Sequence, residues 1–221
     1  FSILIVSLFC LSLISALTPE YTVNGSALEF NRTSNTYVRS TSNSNIDVKD
    51  ARTINFWAYP KQSASMGAVG IGNVGSYKLF SIDIENNVWR VTGYYADTSS
   101  TTAPKLNTWQ MMTATYDGTT VKLYMNGTLI KSQNQNLNTQ NSPVYIGMRP
   151  SNLGFEFNGT IDEVTVFTRA LTIGEIQTMY NNGVGLYADT SIAPYNDSLA
   201  YVYHLDEGTG TTTVDSVSSN N

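Results

Sequence analysis

Two dipeptides constrain this chain more than anything else in it. Asp117-Gly118 stands between the runs 109–116 and 121–125, and Asn126-Gly127 stands between Met125 and 128–130. Asp-Gly and Asn-Gly supply the positive φ values that tight reversals need, so each pair of flanking β-branched and aromatic runs predicts an antiparallel hairpin. The runs 77–84 and 88–95, parted by Glu85-Asn86-Asn87, predict another. The run 53–59, closed by Pro60, and the later runs 144–146 and 161–167 extend the pattern. Many short strands with turn chemistry between them predict an all-β, antiparallel β-sandwich of the jelly-roll kind. One short helix is expected after the last of these strands. Thr172 and Glu175 form a capping-box pattern, Ile176, Met179 and Tyr180 make an apolar stripe, and Asn181-Asn182-Gly183 ends it.

Composition removes some partners. Charged residues are 13%, the formal net charge is −5, and no run of Lys or Arg occurs. A chain without a cationic patch is a poor match for nucleic acid or an anionic membrane. With 41% hydrophobic residues and 14 tyrosines, it is expected to pack a core. Residues 1–16 form an apolar run ending in Ser15-Ala16, which reads as a secretory signal peptide cut after Ala16. A retained membrane anchor is the alternative; a lipoprotein is disfavoured because Leu8-Phe9 precede Cys10. Cleavage leaves no cysteine, so a secreted or cell-surface chain would depend on its core or a metal, not on disulfides. Asn24, Asn31, Asn126, Asn158 and Asn196 head Asn-x-Ser/Thr sequons and are candidate glycosylation sites, though most such sequons are expected by chance in an Asn- and Thr-rich chain.

The order of segments resembles the laminin-G/pentraxin-like (concanavalin A-like) jelly rolls. The matching residues are 26–30 with Tyr37-Val38, 53–57, 108–118, 123–127, 145–147, and above all 157–164 with Arg169-Ala170-Leu171 and Glu175-Ile176. The resemblance implies a domain over residues 24–183, a linker over 184–198, and a further strand in 199–221. Residues 201–210 resemble the opening strand of such a domain. They either begin a second, truncated repeat or fold back to complete the first domain, and tandem repeats would favour avidity. The resemblance also implies a structural Ca²⁺, for which Asp162, Asn158 and Asn31 are the candidate ligands; hard cations need six to eight oxygens, so spacing alone establishes no such site.

Catalytic patterns are thin. His204 is the chain's single histidine, inside an aromatic strand with no nucleophile in motif spacing. Glycosidases of similar topology place three acids along one strand. Here Ser81, Asp83 and Glu85 keep only two, which are expected on a solvated strand edge. Asp162 and Glu163 are adjacent and should point to opposite faces. Sugar recognition needs exposed aromatic rings beside polar groups. Trp57 and Trp109 are expected in the core, whereas Trp89, Tyr94 and Tyr95, on an unmatched hairpin, are the candidate ligand-binding residues. The expectation is a non-catalytic extracellular binding or adhesion module of a larger protein, recognising carbohydrate or a cell-surface partner. A structural subunit of a surface layer or filament is the alternative, and a glycoside hydrolase or lyase a lesser one.

Overall fold

The computed structural model describes residues 26–34, 36–150, 155–181, 197–207 and 212–217. Residues 1–16, Asn24, Asn196 and most of the 184–198 segment lie outside the described residues. Among the described residues thirteen strands make two antiparallel sheets. The seven-stranded sheet runs β1 (Leu28–Phe30), β12 (Gly159–Phe167), β3 (Arg52–Pro60), β8 (Gln110–Tyr116), β9 (Thr120–Met125), β10 (Thr128–Asn134), with β13 (Leu199–Tyr203) also on β12. The six-stranded sheet runs β2 (Val38–Asn43), β11 (Pro143–Ile146), β4 (Met66–Gly72), β5 (Leu79–Glu85), β6 (Val88–Thr92), β7 (Thr98–Ser99).

The predicted turns are where the dipeptides placed them. Met125 opposes Thr128 across Asn126 (φ 52°) and Gly127 (φ 72°), and Glu85 opposes Val88 across Asn86 (φ 52°) and Asn87 (φ 61°). Two consecutive left-handed residues give the twist that two-residue hairpins require. Alternation then decides which side chains face inward. Phe80, Ile82 and Ile84 of β5 and Trp89 and Val91 of β6 meet Ile54 and Phe56 of β3 and Met112 and Ala114 of β8 in one dry core.

The outer face of the seven-stranded sheet is covered by α1 (Ile173–Tyr180). Thr172 and Glu175 form the reciprocal capping box, and Asn181 closes the helix in the left-handed region (φ 40°). Ile176 and Met179 pack on Trp57, Met111, Tyr124 and Phe167, and Trp57 stacks on Tyr180 at 5.8 Å. Trp57 is thus buried beneath the helix rather than between the sheets. Trp109 is half-buried beside the same cluster, edge-on to Tyr59 at 5.6 Å.

β1 and β13 share one edge of β12. β1 opposes residues 159–161 and β13 opposes residues 164–167. Between them β12 bulges, because Glu163 and Val164 together face Phe56 of β3, and Glu163 sits at φ 51°. Tyr201 closes the edge between the sheets, its hydroxyl donating to the Asn43 carbonyl of β2 at 2.8 Å. The tail then lies along the outer side of β13. Asp215 Oδ1 accepts from Val202 N–H at 3.0 Å, and Ser216 N–H donates to the Val202 carbonyl at 2.9 Å. Among the described residues no helix is long and apolar enough to cross a membrane.

Candidate functional site

The outward row of β5 carries Ser81, Asp83 and Glu85, alternating with the core residues Phe80, Ile82 and Ile84. β5 is central in its sheet, not at an edge, and Asp83 is fully buried. The expected solvated edge is therefore corrected. The cover is the segment after β11. Arg149 lies so flat on β4 that a Cβ at Gly67 would stand 2.2 Å from its backbone nitrogen, and its guanidinium lies 4.0 Å from the Phe155 ring centre.

Arg149 Nε donates to Asp83 Oδ2 at 2.8 Å and its Nη2 to Glu85 Oε2 at 2.8 Å. Ser81 Oγ donates to Asp83 Oδ1 at 2.6 Å, and Thr92 Oγ1 donates to its other oxygen. Arg90 pairs with Glu85 on one side and, at 3.3 Å, with Asp97 on the other. Burial would weaken the Arg149 charge, but Asp83 and Glu85 outweigh that and raise its pKa. Both carboxylates are thus taken up by guanidinium groups.

This network ends at Asp97, where the sheet gives way to loops. Asp97 Oδ1 accepts from Gly93 N–H at 3.0 Å and Tyr94 N–H at 3.1 Å. Next to that grip Tyr94 (φ 58°) and Tyr95 (φ 69°) both stand in the left-handed region, where a bulky side chain costs about 1–3 kcal/mol per residue. Their rings meet edge to face at 5.1 Å, and Tyr95 is 77% exposed. Tyr77, also left-handed (φ 66°) and exposed, donates its N–H to the Tyr94 carbonyl at 2.8 Å. Beside it Asn73 Nδ2 donates to Gln140 Oε1 at 3.1 Å. The result is a rim of aromatic rings next to amides and a carboxylate.

The candidate ligand-binding residues separate accordingly. Tyr94 and Tyr95 form the rim, but Trp89 is corrected: it faces the core, is fully buried, and its indole Nε1 donates to Gln110 Oε1 at 3.4 Å. Val88-Trp89-Arg90-Val91-Thr92 carries the signal, since Trp89 and Val91 share a face opposite Arg90 and Thr92. Tyr77, which sequence reasoning left inside a strand, belongs to the rim.

The candidate calcium ligands do not converge. Asn31 follows Phe30, which opposes Gly159, so it is near Asn158; Asp162 lies four strand residues further, about 13 Å away. Asp162 is buried and accepts from Glu163 N–H at 3.0 Å. Asn31 Oδ1 accepts from Thr33 N–H at 2.9 Å. Among the described residues no group of three or more His, Cys, Asp or Glu could hold a metal.

Asn126 uses its side-chain oxygen structurally, accepting from Met111 N–H at 2.8 Å; Asn31 is exposed and Asn158 half-buried. His204 Nδ1 lies 2.9 Å from Glu163 Oε2, so the bulge that breaks the Asp162/Glu163 alternation also gives the histidine its partner.

No curated protein sequence matches the chain. Solved structures with similar folds include a candidate carbohydrate binding protein from Bacteroides ovatus (18% identity, TM-score 0.66, 86% of this chain and 54% of that one). Domain 4 of an extracellular arabinanase from Geobacillus stearothermophilus, solved with arabinotriose, is similar at 17% identity and TM-score 0.55, covering 69% of this chain and 75% of that one. A heptameric SAP-like pentraxin from Limulus polyphemus is similar at 12% identity and TM-score 0.51, covering 74% and 79%. The chain spans about half the length of the first of these. At such identities the likeness is one of fold. The family model of the concanavalin A-like lectin/glucanases superfamily, in its laminin-G form, matches residues 32–177, and the chain belongs to that family.

Proposed function

We propose that this chain is a non-catalytic, extracellular carbohydrate-binding module of a larger protein, and that it holds its ligand on the tyrosine rim. One observation carries the reading: Tyr94, bonded to Asp97, and its neighbour Tyr95 both stand in the left-handed region, and Tyr95 is left 77% exposed. A fold retains such strain where the exposed group serves a purpose other than packing. Flat rings beside amide and carboxylate groups suit the two faces of a sugar, apolar C–H on one side and hydroxyls on the other. The relatives support the same reading, since one was solved with arabinotriose and another is described as carbohydrate binding. A hydrolase would need Asp83 and Glu85 free to act as acid and base, and both are committed to Arg149 and Arg90. Secretion and surface placement belong to this proposal and are supported by the apolar leader.

The test is retention on a glycan array and in affinity electrophoresis through soluble polysaccharides. Tyr95→Ala should abolish retention, while Tyr37→Ala, an exposed ring on β2's approach, should leave it unchanged. No retained glycan, or retention indifferent to Tyr95, ends the reading.

A further inference from the structure

The rim does not stop at Tyr94 and Tyr95. Four chain segments lie side by side at this end of the sandwich, joined by backbone hydrogen bonds. Val48 exchanges hydrogen bonds with Thr139 at 2.7 and 3.2 Å. Asn138 N–H donates to the Tyr77 carbonyl at 2.7 Å, and Tyr77 N–H donates to the Tyr94 carbonyl. Three such steps span about 14 Å at the usual spacing between paired chains. Along that span Val48 (φ 40°), Tyr77 and Tyr94 are all left-handed. Val48, Val74, Tyr77 and Tyr95 are four of the nine large apolar side chains that stand exposed among the described residues. A β-branched residue in the left-handed region is a genuine outlier, and its presence at the far end of the same row extends the strained surface across all four segments.

The charge here is balanced. Lys49, Lys78 and the buried Arg52, whose Nη2 donates to the Val48 carbonyl at 3.0 Å, are the cations here, and Asp47, Asp50 and Asp97 the anions, with Asp97 also paired to Arg90. Asp47 and Asp50 hold the turn under Val48, where Asp47 N–H donates to Asp50 Oδ2 at 3.0 Å and Val48 N–H to Asp47 Oδ1 at 2.9 Å. Nothing in the row gathers positive charge for a polyanion.

From the length of the row, its apolar line and its electrical balance, we infer that the ligand is a stretch of neutral oligosaccharide lying across several positions, not a single terminal sugar or an acidic glycan. This rests on the carbohydrate-binding reading above. Tyr94 and Tyr95 would hold one end, and Tyr77 with Val48 would hold the sugars further along.

Calorimetric titration of the whole chain with arabino-, xylo- and cello-oligosaccharides of one to six units tests it. Affinity for the bound series should climb by tenfold or more between one and three units and then level off. Tyr77→Gly, which suits the left-handed backbone and so keeps the fold, should reduce trisaccharide affinity about tenfold, as expected for losing one aromatic anchor, and leave monosaccharide affinity unchanged. Val48→Asn should weaken only the longer members. A monosaccharide that binds as tightly as the hexamer overturns the extended site while leaving sugar binding intact. Preference for heparin or polygalacturonate over the neutral series overturns the neutral assignment. No binding to any sugar takes down both this inference and the reading beneath it.

Discussion

Tyr95 is the residue on which conformation and exposure conflict most openly. Its ring contributes little to packing, yet its backbone occupies a region that L-residues avoid. Tyr95→Gly should therefore stabilise the fold by about 1 kcal/mol, which for a domain of this size raises Tm by roughly 2–4 °C. The same variant should lose glycan retention, so calorimetry and affinity electrophoresis should move in opposite directions. Trp89 gives the contrasting case. Trp89→Ala should cost about 3–5 kcal/mol in urea titration, because it empties a site in the core. The two positions also show what was legible. Trp89's burial could be counted from the Asn86-Asn87 turn by alternation. The left-handed state of Tyr77, Tyr94 and Tyr95 could not, because it runs against the residues' own preference and goes with contacts between segments distant in sequence, such as Tyr77 N–H on the Tyr94 carbonyl.

At the scale of elements, α1 is the piece whose ends were readable. Thr172 and Glu175 mark its start locally, and the fold realises both capping bonds. Arg169 donates to Glu175, and together with the Thr172 bonds this outweighs burial and lowers the Glu175 pKa from 4.5 to about 2. A depressed carboxylate stabilises above its unfolded pKa and loses that contribution as pH falls through its folded one. The helix cap should thus hold above pH 4.5 and weaken toward pH 2; Glu175→Gln should flatten the acid limb of the stability curve in that window. The site is close to solvent, so the effect should be modest. The opposite sign belongs to β13. Glu163's hydrogen bond raises the His204 pKa above 6.5 against the effect of burial, with Asp206 and Asp162 adding to the rise. This contribution is complete below pH 6.5 and fades as pH climbs through the folded value. His204 is the only histidine, so one NMR titration reads it directly; a value at or below 6.5 would contradict the pairing. The bulge that makes the pair escaped sequence reasoning because strict alternation sends Asp162 and Glu163 to opposite faces, and no local signal marks where a ladder gains a residue.

For the whole molecule, the sandwich and its local hairpins followed from turn dipeptides and alternation, which act over a few residues. The placement of residues 199–205 did not, since two sheet edges suit such a strand equally well on paper. Residues 199–203 pair with β12, and Tyr201, Val202, Tyr203 and Leu205 are buried. A chain ending at residue 196 should then fail to fold or lose more than 4–5 kcal/mol, a size reserved for gross loss of core. A truncated chain with unchanged thermal unfolding would favour the second-repeat reading.

The Asp215 carboxylate, seated on Val202 N–H, occupies the place a stranger's backbone would want. A protein displayed in many copies at close quarters is at risk of zipping to its neighbours through any open ladder. With Asp215 on its N–H and Ser216 on its carbonyl, Val202 has both backbone groups already engaged and offers no free pairing group at that point of the edge.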